Sequence, residues 1–218
     1  EIHLLGLWLP RHSAPLDAEL ARLRGHRQER NLKILDRLRS IGINIGYQEV
    51  LDEAGGESVG RPHIARVLQK RGVVSNFAQA FELYLGYYGA AYVPRTLLTP
   101  EEGVSLMADL GAVVSFAHPM LIRCPPSWFD EIIPRLKEAG LGAIEAYHSE
   151  HSARDERFCV ELAARYGLGL SGGSDYHGMA KPGVELGRGK GGLRVTVALL
   201  DALKARRKRP VDDAPEVL

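Results

Sequence analysis

Helix-like and strand-like segments alternate over residues 99–207, and this alternation limits the possible folds more than any other feature of the chain. TPEE at 99–102 has the pattern of a capping box with Pro at the first helical position, and predicts a helix that reaches about Leu110. The apolar run AVVSFAHP follows Gly111 and predicts a buried strand. Further strands and helices alternate as far as a last helix at about 194–207. Such alternation predicts an α/β fold with a parallel sheet covered by helices.

Residues 12–88 differ from the rest because nearly every pattern in them is helical. The apolar residues between 15 and 41 lie three or four apart among many charges, which is typical of an amphipathic helix. The N-terminal run IHLLGLW is expected to join the sheet, and the helical block then interrupts the α/β domain. We therefore predict an α/β domain over 1–11 and 89–210, with an all-helical insertion over 12–88.

Composition describes an ordinary globular protein of 218 residues, with 45% hydrophobic residues and a net charge of +1. With so small a net charge, no overall electrostatic attraction draws the chain to nucleic acid or to an anionic membrane. The basic run KARRKRP at 204–210 is interpreted as a solvated helix end. Two cysteines without metal-site spacing favour a reducing, cytoplasmic environment. No apolar run approaches the roughly 20 residues of a membrane helix. Because EIHLLGLWLP opens within a strand and without Met, we expect the N-terminal part of the domain to be missing.

Polar side chains end three of the predicted strands. AVVSFAH ends on His118, in phase with the apolar residues before it, GAIEAYH ends on His148, and LSGGSDYH ends on Asp175 and His177. Because side chains alternate along an extended segment, Asp175 and His177 are expected to point to the same side. The carboxyl ends of parallel strands form the site in α/β sheets and barrels. The pattern indicates a divalent metal site, although each His could instead cap its strand by binding a loop carbonyl.

These motifs resemble those of the polymerase and histidinol phosphatase (PHP) family of metal-dependent phosphoesterases, over nearly the whole chain. EIHLLG is similar to the family strand that carries a ligand His, FAHP to its His-Pro strand end, and GGSDYHG to its closing Asp-x-His motif. GRPHIARVL is similar to the inserted helical segment of the subgroup of nucleoside 3′,5′-bisphosphate phosphatases and 5′-3′ exoribonucleases. The resemblance implies a distorted (β/α)7 TIM-like barrel, here without its N-terminal part, and an all-helical insertion.

The resemblance also implies a set of metal ligands, which are His3, His118, Asp175 and His177. The last three are then catalytic as well, and a complete domain would hold up to three divalent ions of Mn, Zn or Fe. From the residues alone, the alternative for His3 is a core histidine bonded to the backbone. The family uses further ligands upstream of the EIHLLG strand, an H-x-H pair, an Asp, another His and a Glu, and this chain contains none of them.

Three more residues are candidates for substrate binding. Arg61 and His63 flank Pro62 at a predicted helix start, where guanidinium, imidazole and backbone amides could face a phosphate. The resemblance supports that role, and the alternative is a surface Arg beside a capping His. His148 is expected to contact substrate or to support the metal ligands.

The function predicted on this basis is hydrolysis of a phosphate ester by metal-activated water. The substrate is a small nucleotide, such as the 3′-phosphate of a nucleoside 3′,5′-bisphosphate, or a short single-stranded RNA end. A helical insertion over the metal site would disfavour duplex nucleic acid, and we expect no membrane partner. Two alternatives are a histidinol-phosphate phosphatase, which GRPHIARVL disfavours, and a metal-free PHP-like module for binding or assembly.

Overall fold

A computed structural model describes residues 1–56, 58–178 and 181–207. Contacts divide the chain into two compact units: the described residues of Glu1–Ser13 with Leu98–Leu218, and those of Ala14–Leu97. These divisions lie at residues 13/14 and 97/98, whereas the sequence places them at 11/12 and 88/89. The assignment of the units to a catalytic barrel and an insertion stays a prediction. The end of the predicted domain at 210, like the end of the KARRKRP run, lies outside the described residues.

The first unit is built on a sheet of four strands in the order β1-β2-β3-β4. The strands are β1 Leu4–Leu7, β2 Val113–Phe116, β3 Leu141–His148 and β4 Gly169–Gly173. The strands β2, β3 and β4 are parallel, but β1 pairs antiparallel with β2. The α/β class is therefore confirmed, and the N-terminal strand joins the sheet as expected, in the antiparallel direction. Antiparallel pairing brings the beginning of β1 beside the end of β2, where Leu4 faces Phe116.

The second unit consists of helices with their own core. Its elements are α1 Ala14–Ser40, α2 Tyr47–Ala54, α3 Arg61–Lys70 and α4 Phe77–Ala80, which continues as a π-helical turn, Phe81–Leu85. Fully buried side chains on α1, α2 and α3 meet in this core: Ile34, Leu38, Val50, Ile64 and Leu68. The helical pattern of the sequence is confirmed for these residues.

Among the described residues, the first unit contains four α-helices and a short 3₁₀ helix, Pro119–Leu121. The α-helices are α5 Pro100–Asp109, α6 Ser127–Ala139, α7 Ala153–Tyr166 and α8 Val197–Lys204. The capping box predicted at TPEE is present, since the Thr99 amide donates to the Glu102 carboxylate at 2.7 Å and the Glu102 amide donates to Thr99 Oγ1 at 3.2 Å. Ser152 begins α7 in the same way, with Asp155 as its partner. None of the described helices is long and apolar enough to cross a membrane.

The core of the first unit includes residues of the sheet and of the helices α5, α6 and α7. Phe116 from β2, Ile144 from β3 and Ile133 from α6 are fully buried in it. Burying such a side chain contributes roughly 1.5–3 kcal/mol. This packing fixes the three parallel strands, so the segments that follow their carboxyl ends leave the sheet at one edge.

Candidate functional site

His3 and His118 meet where β1 begins and β2 has ended. His3 directly precedes β1, and its carbonyl accepts a hydrogen bond of 3.0 Å from the Ala117 amide. Its ring Nδ1 lies 3.2 Å from His118 Nε2, and the two rings meet edge to face at 4.9 Å between centroids. The antiparallel direction of β1 thus brings together two histidines that are 115 residues apart.

Asp175 and His177 follow the end of β4 in a loop rather than in an extended strand. Asp175 has a left-handed backbone with φ of 54°, so the argument from alternating strand side chains is wrong here. The two residues are nevertheless neighbours, because His177 Nδ1 lies 2.9 Å from the Asp175 carbonyl oxygen and 3.5 Å from Oδ1. His118 was also predicted to end a strand, but β2 ends at Phe116, and His118 lies beyond it with φ of 30°.

One cavity of about 520 Å³ collects these side chains. The described residues that line it are His3, Leu4, Leu5, Ala117, His118, Glu145, Gly173, Asp175, Tyr176 and His177. All four predicted metal ligands are among them. Gly173 allows a close approach of Glu145, because a Cβ at position 173 would lie 2.8 Å from Glu145 Oε1 and displace that carboxylate.

Glu145 is a site residue that the sequence reasoning missed. It belongs to β3, is only 3% exposed, and accepts a hydrogen bond of 2.7 Å from the His118 backbone amide. Burial, with a smaller contribution from the charge of Asp175, raises the pKa of Glu145 to about 7. An acidic residue inside the buried strand GAIEAYH was the available signal, because a buried carboxylate requires a partner.

His148, the last residue of β3, lies fully buried beside this group of residues. Its ring centroid is 5.5 Å from that of His118, and its Nε2 is 3.7 Å from Asp175 Oδ2, which is too long for a hydrogen bond. Burial and the neighbouring His151 lower the pKa of His148 to about 4. The ring is therefore neutral at pH 7, and its contact with Asp175 is not an ion pair.

A buried ring nitrogen without a partner indicates that the site suits a metal ion. His118 Nδ1 and His148 Nε2 are both buried and have no hydrogen-bond partner among the described residues. The Glu150 amide donates a hydrogen bond of 3.1 Å to His148 Nδ1, so the neutral His148 ring carries its proton on Nε2 and is a donor there. Burial lowers the pKa of His118 as well, and its neutral ring presents the lone pair that a metal requires. Together with the carboxylate of Asp175, the His118 imidazole matches the donors that Zn, Mn and Fe bind.

The present side-chain arrangement is not that of a completed metal centre. Among the described residues, no three or more His, Cys, Asp or Glu side chains are placed to hold one ion together. Lys181 instead donates a hydrogen bond of 2.6 Å to Asp175 Oδ2, and it also lies 3.3 Å from Glu150 Oε2. Burial alone would raise the pKa of Asp175, but the hydrogen bond and charge of Lys181 outweigh it and lower that pKa. The Asp175 carboxylate is therefore ionised and ready for a cation.

Arg61 and His63 belong to the helical unit, at the beginning of α3. The Gly60 amide donates a hydrogen bond of 3.1 Å to His63 Nδ1, so His63 caps the helix, as one of the two sequence interpretations has it. Arg61 Nη1 donates to the Leu85 carbonyl at 2.9 Å, and its guanidinium lies over the Phe81 ring at 5.7 Å. Both residues line a cavity of about 420 Å³ within this unit.

Comparison with known proteins shows which proteins the chain is similar to. No family model matches it. The chain is 30% identical over 189 residues to the 5′-3′ exoribonuclease Rnm of Escherichia coli, covering 86% of this chain and 64% of that protein. It is 27% identical over 212 residues to the 3′,5′-nucleoside bisphosphate phosphatase of Chromobacterium violaceum. That match covers 97% of this chain and 74% of the phosphatase. The chain thus spans slightly less than two thirds of the length of the exoribonuclease.

A solved structure agrees with these relatives. A protein from Bifidobacterium adolescentis, described as a metal-dependent phosphoesterase, matches 96% of this chain and 72% of its own, with a TM-score of 0.71 and 26% identity. The fold thus matches that of a protein described as a metal-dependent phosphoesterase. The resemblance to PHP-type members of that class is confirmed, and the similar proteins include an exoribonuclease and a nucleoside bisphosphate phosphatase.

Proposed function

We propose that this protein is a metal-dependent phosphoesterase that hydrolyses a phosphate ester of a small nucleotide or of a short RNA end. The observation that carries the proposal is the single cavity lined by His3, His118, Asp175 and His177. Segments far apart in the chain supply these residues, and a purely structural role for each would not require that they meet.

The residues that would hold the divalent cations are the same four, with His148 beside them. Bound cations generate a strong nucleophile from water at neutral pH and neutralise phosphate charge. Glu145 fixes the His118 backbone through its hydrogen bond, so that the imidazole enters the cavity in one orientation. Lys181 lowers the pKa of the Asp175 carboxylate and holds the carboxylate in the cavity, where it would bind a cation.

The relatives and the helical unit support the choice of substrate. Proteins similar over most of this chain are named for 5′-3′ exoribonuclease and nucleoside bisphosphate phosphatase activity. Arg61 and His63 are proposed to bind a substrate phosphate, because both line a concave surface at the beginning of a ten-residue helix. Small nucleotides and single strands are favoured over duplexes.

The fold and setting follow from the same resemblance. The four-stranded sheet and its helices are proposed to form part of a distorted (β/α)7 barrel, with the unit Ala14–Leu97 as its insertion. We propose that the sheet-containing unit provides the catalytic domain, which the sequence analysis places at 1–11 with 89–210. Both cysteines are free thiols, which suits a reducing cytoplasm.

Of the two alternatives, the metal-free module has an observation in its favour. His3 and His118 bond each other, and Asp175 bonds Lys181, so these donors already have protein partners. The histidinol-phosphate phosphatase is not favoured, because the similar proteins reported above act on nucleotides or RNA by name.

Phosphate release from a nucleoside 3′,5′-bisphosphate, with histidinol phosphate as the comparison, separates the three functions. The protein is stripped with EDTA and then loaded with Mn²⁺, and the stripped sample is the control. The proposal predicts turnover of the bisphosphate in the loaded sample alone. Phosphate release only from histidinol phosphate would contradict the proposal that the substrate is a nucleotide. Absence of release from both compounds would favour the metal-free module.

A further inference from the structure

The helical unit contains a cavity of about 420 Å³ that gathers basic side chains. The basic residues that line it are His26, Arg27, Arg30, Arg61, His63 and Arg95. No Asp or Glu is among the described residues of the lining. Several like charges facing one small volume repel one another, and an anion in the cavity relieves that repulsion.

Arg30 is the residue whose surroundings most require an anion. It is only 8% exposed, and its Nε donates a hydrogen bond of 2.9 Å to the Val93 carbonyl. Its Nη2 is buried and has no hydrogen-bond partner among the described residues. Burying a charged donor without a partner is costly, so a ligand that accepts from this guanidinium would stabilise the unit.

The charge of Arg30 persists at neutral pH. Burial, together with the nearby charges of Arg61 and Arg95, lowers the pKa of Arg30, but only to about 10. The guanidinium is therefore protonated under physiological conditions. A positive group held inside the unit in this way is suited to a strongly charged anion.

Neighbouring arginines are held in place before any ligand binds. Arg27 Nη1 donates to Ser58 Oγ at 2.6 Å, and Arg61 is held by the Leu85 carbonyl. Planar guanidinium groups fixed in this way match the oxygens of a phosphate and lose little freedom on binding. The cavity is therefore prepared for phosphate rather than for a diffuse negative charge.

The apolar part of the lining indicates what carries the phosphate. Leu23, Phe81 and Leu97 line the same cavity, whose volume lies within the range of small-molecule sites, roughly 300–1,000 Å³. A free phosphate ion fills only a fraction of such a space and makes no use of apolar walls. A nucleotide end fits both the charge and the volume.

We propose that this cavity binds the phosphate monoester group of a nucleotide and that Arg30 is its buried recognition residue. The choice of a nucleotide as ligand rests on the proposed function, whereas the binding of a phosphate group is inferred from the residues of the cavity alone. Arg30 thereby joins Arg61 and His63 in binding the phosphorylated end.

Calorimetric titration of the whole protein in EDTA tests the proposal without any turnover. The probes are 5′-AMP and inorganic phosphate, and the variants are Arg30→Met and Arg39→Met. Arg39 lies nine residues further along α1 in an exposed ion pair with Asp36, so it is a matched control. We expect Arg30→Met to weaken binding by about ten- to a hundred-fold, since a charged hydrogen-bonding group is lost, and Arg39→Met to leave binding unchanged.

Equal affinity of the two variants would overturn the proposal, as would the absence of saturable binding of either probe to the unchanged protein. Tighter binding of 5′-AMP than of inorganic phosphate would show that the cavity recognises a phosphate group carried by a nucleotide. Equal binding of the two probes would show that it recognises the free ion and would contradict the nucleotide part of the proposal. Should Arg30→Met fail to fold, Arg30→Lys decides in its place: binding weakened about fivefold or more supports the proposal, and unchanged binding overturns it. Since no metal is present, a failure of catalysis does not affect this result.

Discussion

His118 and Asp175 have left-handed backbones at the two positions that matter most for the proposed chemistry. Residues other than Gly, Asn and Asp adopt this conformation at a cost of order 1 kcal/mol, and such strain concentrates at functional sites. The conformation turns each side chain out of the direction that the preceding strand would give it. The residues predicted from strand periodicity therefore line one cavity, although the strand geometry from which they were predicted is incorrect.

Replacing Asp175 by Asn tests the role of its carboxylate. Asn tolerates the left-handed backbone at this position, so the variant removes charge without adding backbone strain. We expect phosphate release to fall by at least about a thousandfold, because an anionic ligand and the partner of Lys181 are lost together. Steady-state release with Mn²⁺ gives the activity.

Thermal unfolding is the control for this variant. The Asp175 side chain is partly exposed, so the melting temperature is expected to change by only a few degrees. Activity close to that of the unchanged protein would show that Asp175 is not a ligand.

Helix ends were readable from the sequence, whereas strand ends were not. The capping box at Thr99 and Glu102 depends on residues three apart, so a local pattern is sufficient to predict it. The end of β2 at Phe116 and the burial of Glu145 depend on what packs against them from distant segments. Arg61 and His63 lie at a helix start, as the sequence indicated, but the basic cavity that they share with Arg30 depends on three helices and could not be predicted.

Two glycines in different elements should respond oppositely to replacement by Ala. A Cβ at Gly172 in β4 would lie 2.8 Å from the backbone oxygen of Tyr147, so Gly172→Ala is expected to destabilise the fold by about 2 kcal/mol. Gly25 lies inside α1 with nothing within 4 Å of its Cβ position, so Gly25→Ala is expected to stabilise by about 0.5–1 kcal/mol. Urea unfolding of both variants measures the two changes, and a common sign would refute this description of the packing.

The molecule consists of two units, each with a buried core of its own. The sequence revealed this division through the change of pattern from helices alone to alternating helices and strands. It did not reveal the direction of β1, because the pairing partner follows more than 100 residues later in the chain. That direction decides whether His3 reaches His118.

A fragment spanning Ala14–Leu97 is predicted to fold without the rest of the chain. Its core buries side chains from α1, α2 and α3, and domains of this size bury enough surface to be stable. Circular dichroism should show a helical spectrum and a cooperative thermal transition. Ile34→Asp places a charge in that core and should abolish the transition. A fragment with no helical signal would show that the unit depends on the rest of the protein.

The proposed metal site is tested by measuring Mn²⁺ binding, which removes the electron paramagnetic resonance signal of the free ion. Three proteins are compared: the unchanged protein, the variant His118→Asn and the control variant His12→Asn. Asn tolerates the left-handed backbone at position 118, and His12 is an exposed histidine of the same unit. We expect saturable binding that His118→Asn weakens at least about tenfold and His12→Asn leaves unchanged. Equal binding by all three proteins, or no binding at all, would contradict a metal site at the ends of these strands.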